Sequence, residues 1–149
     1  MDINSGDFEL SLDHYKELND KIEAFELPEV NYKYMSSSDM RYLYTNSISE
    51  NGLFLDSLQK IDFKTNSNQV YTDIDNGIYL YSPLFIPFDA SDISLIGEDS
   101  GFIICYGYNI NKHNSLIYIF DASDISMPMT IMELPVHVPI LFHGAFVKE

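Results

Sequence analysis

The acidic side chains are the residues whose types and spacing could do chemistry in this chain. The heptapeptide Phe-Asp-Ala-Ser-Asp-Ile-Ser occurs twice, at residues 88–94 and 120–126. It carries two pairs of carboxylates, Asp89 with Asp92 and Asp121 with Asp124. Aspartate and serine oxygens are ligands that calcium uses. Two neighbouring carboxylates are few for a calcium site, however, and the same residue types are typical of turns. We therefore predict that each copy ends a strand and that no metal is bound.

The remaining reactive residue types form no recognisable constellation. The single Cys105 lies in an apolar, strand-like run, which is typical of a buried thiol rather than a nucleophile. His137 and His143 stand in an apolar segment without a cysteine partner, which argues against zinc. Residues 73–77, Asp-Ile-Asp-Asn-Gly, depart from a calcium loop because glycine comes one position early. The sequence thus predicts no catalytic, cofactor-binding or metal-binding residues, and a protein that is not an enzyme.

Net charge is the strongest compositional feature. The 149 residues include 23 acidic and 8 basic side chains, for a formal net charge of −15. Nucleic-acid binding needs a basic face and is not expected. No apolar run approaches the roughly 20 residues that span a bilayer, and the acidic N-terminus does not resemble a secretory signal. These observations predict a single cytoplasmic domain over residues 1–149, with a basic protein as its partner and no membrane contact; they leave the oligomeric state open.

Two helices are predicted in the first third of the chain. Apolar residues recur at steps of three and four between Leu12 and Phe25, and Leu27-Pro28 would end that helix. A second helix is predicted from Asp39 to about Ser49, with Asn51-Gly52 as its stop signal. Residues 53–63 suit either a helix turn or a strand.

The second half of the chain has the pattern of strands. Residues 69–73 and 77–81 flank a predicted Asn-Gly hairpin turn, and the prolines in 84–88 confine that run to a sheet edge or a bulge. Residues 102–108 and 116–120 are expected to pair antiparallel, with further strands at 130–134 and 136–142. The predicted fold class is α+β, with the N-terminal helices (about 11–50) on one side of a mostly antiparallel sheet (about 69–143).

Tyrosines alternate along two of these strands, at Tyr79 and Tyr81 and again at Tyr106 and Tyr108. Alternation puts such residues on one face of a sheet. That face is either an exposed interface, where tyrosine is common, or a surface covered within the domain. The sequence favours neither.

The order of these features resembles the SMI1/KNR4, or SUKH, superfamily. The resemblance rests on Leu27-Pro28 followed by tyrosines, on Asn51-Gly52, on Pro87-Phe88, and on the acidic loop at 97–101. It implies an α+β domain, and many bacterial members of that superfamily are immunity proteins against toxins.

The leading functional hypothesis is an acidic immunity or inhibitor protein that binds and occludes a basic toxin or enzyme. Electrostatic steering would speed association of the acidic loops with a basic groove. The partner-binding residues expected are acidic groups and two tyrosine anchors: Asp73, Asp75, Asp89, Asp92, Glu98, Asp99, Tyr79 and Tyr81.

Two other hypotheses stay open. One is a viral or phage inhibitor that imitates the charge of nucleic acid to block a host nuclease. The other is a hydrolase or small-molecule-binding domain whose site is assembled from residues distant in sequence, such as His113 and Cys105.

Overall fold

Two four-stranded antiparallel sheets make up the part of the chain that the computed structural model describes, namely residues 22, 25–35, 40–49, 52–88, 97–140 and 142–147. In each sheet the strands follow one another in chain order. Sheet A contains β1 (Phe25–Glu29), β2 (Tyr42–Ser47), β3 (Ser57–Asp62) and β4 (Ser67–Thr72). Sheet B contains β5 (Ile78–Pro87), β6 (Gly101–Asn109), β7 (Asn114–Asp121) and β8 (Thr130–Glu133).

The predicted α+β class is wrong. Within the described residues the helical structure is one short 3-10 turn, Ile74–Asn76. The second predicted helix is strand β2, which pairs with β3 from Tyr42↔Asp62 to Ser47↔Ser57. Aromatic and β-branched residues favour this extended state, and pairing with β3 satisfies the backbone groups. The first predicted helix falls almost wholly outside the described residues, and its last residue, Phe25, opens β1.

The hairpin predicted around Asn76-Gly77 is also wrong, because β4 and β5 belong to different sheets. The turn between them is a sheet-to-sheet connection. Gly77 adopts a left-handed conformation with φ of 75° and donates its N–H to the carbonyl of Ile74. A left-handed residue is strained unless it is glycine, so the Asn-Gly signal correctly marked a turn but not the pairing of its flanks.

The later strands agree with the sequence pattern. β6 and β7 pair antiparallel from Phe102↔Asp121 to Asn109↔Asn114, as predicted. β5 is an end strand of its sheet and carries a bulge between Tyr81 and Leu84, where Pro83 stands. β8 matches the predicted strand at 130–134, whereas residues 136–140 and Phe142 form no strand.

The core lies between the two sheets. Sheet A contributes Tyr44 and Leu58, and the ring of Tyr44 lies 5.5 Å from that of Phe85 in sheet B. The inward-facing side chains of sheet B and of the turn that follows β7 complete the core: Ile78, Leu80, Phe85, Ile103, Cys105, Leu116, Tyr118, Phe120, Ala122 and Ile125. Cys105 is fully buried, and burial raises the pKa of its thiol, as expected for a packing residue.

The acidic loop before β6 links sheet B to sheet A at the start of β2. The Glu98 carboxylate accepts the backbone N–H groups of Arg41 and Tyr42 at 2.9–3.0 Å, at the start of β2. The carbonyl of Glu98 also accepts the side-chain amide of Asn31 at 2.9 Å. Glu98 thus supplies the hydrogen-bond acceptors that a neighbouring strand would otherwise give to these two backbone N–H groups.

Replacing Glu98 with alanine should therefore lower the free energy of unfolding by about 2 kcal/mol, since two backbone N–H groups lose their acceptor. Urea unfolding followed by circular dichroism measures the change. Glu133→Ala, which removes an exposed carboxylate from β8, is the matched control and should cost far less. Equal losses in the two variants would show that the Glu98 contacts do not join the sheets.

Candidate functional site

Three of the carboxylates predicted to bind a partner make contacts within the protein. Asp73 accepts the hydroxyl of Tyr118 and the side-chain amide of Asn76, each at 2.6 Å, while Asp75 is exposed on the same turn. Asp99 forms an ion pair of 2.8 Å with Lys60, whose side chain is only 7% exposed. Asp73, Asp99 and Glu98 thus position turns and loops of the protein itself.

The predicted residues also lie apart. β5 and β6 pair from Ile78↔Asn109 at one end to Pro87↔Gly101 at the other. The turn that holds Asp73 and Asp75 precedes the first end, and the loop that holds Glu98 and Asp99 precedes the second. Asp89 and Asp92 lie outside the described residues.

The two predicted tyrosine anchors lie on the face of sheet B that points away from sheet A. Tyr79 is half-buried, whereas Tyr81 is buried and its ring stacks on that of Tyr106, with centroids 6.1 Å apart. A buried ring cannot serve as an anchor that inserts into a partner.

A small polar cavity of about 190 Å³ opens beside Lys60 and Tyr42. The Lys60 ammonium donates to Asp99 and to the carbonyl of Ser123 and lies 4.2 Å from the centre of the Tyr42 ring. Two of its three donors are already used, so this cavity offers little to a ligand.

A larger groove of about 680 Å³ lies between β1, the second half of β5 and the segment at residues 144–146. This volume is within the usual range for small-molecule sites. Its lining is mostly apolar and aromatic: Leu84, Phe85, Ile86, Pro87, Phe88, Ala145, Phe146 and Tyr32, with Gly144, Glu29 and Lys33. We refer to it as the β5 groove.

Glu29 is the buried acid of the β5 groove, with a residue exposure of 8%. Its carboxylate accepts the backbone N–H of Phe85 at 3.2 Å and the hydroxyl of Tyr32 at 3.1 Å. Burial raises the pKa of Glu29, although both hydrogen bonds and the nearby charge of His143 act in the opposite direction. The two donors fix this carboxylate in place, and His143 lies within range of its charge.

Sequence reasoning missed this pair because Glu29 and His143 stand at opposite ends of the chain. The sequence offered only an acid directly after Leu27-Pro28 and a histidine in an apolar segment. Neither signal identifies a partner at such a separation.

The histidines of the described residues do not form a cluster. His113 shares a 2.9 Å hydrogen bond with the Tyr108 hydroxyl, and His137 packs edge-on against the same ring, with centroids 5.2 Å apart. His143 directly precedes the groove-lining residues 144–146, and its charge acts on Glu29. Across the described ranges, no three His, Cys, Asp or Glu side chains are close enough together to hold a metal ion.

Successive four-stranded antiparallel sheets packed face to face are the repeating unit of β-propeller-like folds. The fold therefore belongs to the class that is built from such sheets. Its apolar groove lies beside β5, the first strand of sheet B. The model of the RPE65 family, described as retinal pigment epithelial membrane protein, matches residues 6–148, and the chain belongs to that family.

Characterised relatives are oxygenases of carotenoids. The chain is 26% identical over 111 residues to the apocarotenoid-15,15'-oxygenase of Synechocystis, which covers 72% of this chain and 22% of that protein. It is 26% identical over 146 residues to carotenoid 9,10(9',10')-cleavage dioxygenase 1 of Arabidopsis thaliana, which covers 85% of this chain and 24% of that protein. The chain thus spans about a quarter of the length of these relatives.

The fold agrees with a solved structure of the same group. Cobalt-substituted apocarotenoid oxygenase of Synechocystis superposes with a TM-score of 0.75 at 22% identity, over 85% of this chain and 26% of that one. At that identity the superposition supports the fold alone.

These findings overturn the functional predictions made from sequence. The resemblance to the SMI1/KNR4 superfamily is wrong, and so are the immunity function and the basic protein partner. The prediction of a protein that is not an enzyme is wrong as well, since the relatives are enzymes named for small-molecule substrates. In the described part of the chain, no helix is long and apolar enough to cross a bilayer. Cytoplasmic location and a single domain stay predictions.

The raised pKa of Glu29 gives a pH dependence that can be measured. An acid whose pKa is higher in the folded state stabilises the fold when protonated, and this contribution is lost as pH rises above its ordinary value of 4.5. Glu29→Gln should therefore lose less stability than the unsubstituted chain between about pH 4.5 and pH 7. Urea unfolding at both pH values, with Glu26→Gln as an exposed control in the same strand, measures the difference. If the free energy of unfolding falls by the same amount in Glu29→Gln and in the unsubstituted chain, burial of Glu29 is not the cause of the pH dependence.

Proposed function

We propose that this chain forms part of an oxygenase that cleaves carotenoids or apocarotenoids, contributing one wall of the substrate groove and one side chain of the metal centre. The observation that carries the proposal is the β5 groove, in which an apolar wall meets the buried Glu29 carboxylate, on which the charge of His143 acts. Family membership supports the substrate class, since the relatives are named for carotenoid cleavage.

The groove suits an apolar, elongated substrate. Leu84, Ile86 and Phe88 succeed one another along β5 and just beyond it, and Phe146 lines the opposite side. A polyene offers no hydrogen-bonding groups along its length, so its binding depends on apolar contact area and shape. The aromatic rings supply large area with few rotatable bonds.

His143 is the described residue best placed to offer a ligand to a metal. One solved relative is a cobalt-substituted form, so that enzyme binds a metal ion. Imidazole suits such ions, and a metal-bound histidine ordinarily donates its other N–H to a carboxylate or carbonyl. Glu29 beside His143 fits the role of that carboxylate. A redox metal, when bound, would supply the reaction with dioxygen.

The described residues alone do not complete a metal centre, because they bring no three ligating side chains together. The proposal therefore assigns the remaining ligands to protein outside these residues. Glu29 would hold the orientation of His143, while Tyr32 and the Phe85 N–H fix the carboxylate. The apolar wall would keep water away from the bound polyene.

Activity is best tested in a graft, in which this chain replaces the matched quarter of the Synechocystis apocarotenoid oxygenase. The proposal predicts cleavage of an apocarotenoid, followed by chromatography of the products, and bound metal measured by elemental analysis. His143→Ala should reduce both to background, while His113→Ala should leave both unchanged. A folded graft that cleaves normally without the His143 imidazole would refute its assignment.

Glu29→Gln in the same graft should lower the turnover rate about 10- to 100-fold, as is usual when a group that orients a metal ligand is altered. Metal content should fall less than in His143→Ala, because the imidazole is still present. Glu26→Gln, in the same strand but exposed, is the control and should keep the original rate. Equal rates for both variants would rule out a positioning role for Glu29.

A further inference from the structure

Lys33 brings an ammonium group to the lining of the β5 groove. Basic side chains are scarce in this protein, which has 8 of them against 23 acids. The described ranges contain five, and three of those form ion pairs with carboxylates: Arg41 with Asp62, Lys60 with Asp99 and Lys112 with Glu133. Lys33 and Lys64 form none within these ranges, and of the two only Lys33 lines the groove.

The turn after β1 fixes the backbone of Lys33. Its N–H donates to the Asn31 side chain at 3.2 Å, and the carbonyl of Asn31 accepts the N–H of Tyr34 at 2.8 Å. Asn31 is only 4% exposed and donates its own amide to the carbonyl of Glu98 at 2.9 Å. A free ammonium on a fixed backbone meets a ligand at a lower cost in conformational entropy than one on an unanchored loop.

The two charged residues of the groove differ in exposure and in their contacts. Glu29 is buried, and its carboxylate already accepts the Phe85 N–H and the Tyr32 hydroxyl. Lys33 is exposed, so it stands where the groove opens to solvent. A ligand that fills the groove therefore lies along apolar side chains and has a positive charge at the open end.

We infer that Lys33 binds the carboxylate of an apocarotenoic acid, a polyene with an acid group at one end, and that such acids are the preferred ligands of the β5 groove. The polyene part of this inference rests on the proposed function. A carboxylate accepts charge-assisted hydrogen bonds from an ammonium, and these are roughly twice as strong as the neutral bonds that an alcohol makes. A net charge of −15 repels anions in general, so an acid needs a local cation to bind here.

Binding to the full 149-residue chain tests the inference without metal or turnover. β-Apo-8'-carotenoic acid and β-apo-8'-carotenol share one polyene, and quenching of tyrosine fluorescence gives both dissociation constants, since the chain has eleven tyrosines and no tryptophan. The acid should bind about three- to tenfold more tightly than the alcohol, as expected for an ion pair at the edge of an apolar groove. Lys33→Met should bring this ratio close to one, whereas Lys33→Arg should keep it.

Lys64→Met is the matched control. Lys64 is also exposed and without an ion pair in the described ranges, but it lies in the turn between β3 and β4 and does not line the groove. Its substitution should leave both dissociation constants as they are in the unsubstituted chain. Circular dichroism checks that all the variants fold. An unchanged ratio in Lys33→Met would overturn the inference, and so would an equal loss in Lys64→Met, because the preference would then come from overall charge.

The oxygenase graft separates this inference from the proposed function. If the graft does not cleave either polyene while the free chain still selects the acid through Lys33, the proposed function fails and the inference stands. If the graft cleaves both polyenes and Lys33→Met leaves the ratio of their KM values unchanged, the inference fails and the proposed function stands.

Discussion

The fold depends on the interface between the two sheets, and the polar contacts at its rim determine how they meet. The Tyr44 hydroxyl donates to the carbonyl of Ala122 at 2.8 Å, and Lys60 donates to that of Ser123 at 2.9 Å. The N–H of Ile125 donates to the Gln69 side chain at 3.2 Å. Sheet A thus binds three positions of one turn, which lies in the second copy of the repeated heptapeptide. Buried polar groups are costly unless paired, so these bonds fix one relative position of the sheets.

The β5 groove follows from that interface. β5 is the strand of sheet B next to sheet A, and its Phe85 N–H reaches the Glu29 carboxylate in β1. The bulge at Tyr81–Leu84, with Ser82 at φ of 55°, changes the register between the two halves of β5. Both halves pair with β6, and the second half, Leu84 to Pro87, also lines the groove. A shift between the sheets would separate Glu29 from Phe85 and remove one of the two donors that hold the carboxylate.

Sequence patterns predicted the strands that depend on local composition and missed what depends on pairing across the chain. β6 and β7 are rich in aromatic and β-branched residues, and both were predicted. β2 was mistaken for a helix because Leu43, Tyr44 and Ser47 satisfy helical spacing as well as they fill a strand. Its strand state comes from β3, which no local pattern reveals. The site was missed for the same reason, since Glu29 in β1 and His143 come within range of each other only after the chain has folded.

The net charge misled because it counts carboxylates without regard to what they bind. Asp62 accepts two donors of Arg41, at 2.9 and 2.6 Å, and this hydrogen bonding holds its pKa well below the usual range. Glu98, Asp99 and Asp73 are likewise used within the fold. Asp121 caps the turn after β7 by accepting the backbone N–H and hydroxyl of Ser123. Internal bonding thus accounts for these acids without an external partner. The excess of negative charge is therefore a poor guide to what this chain binds.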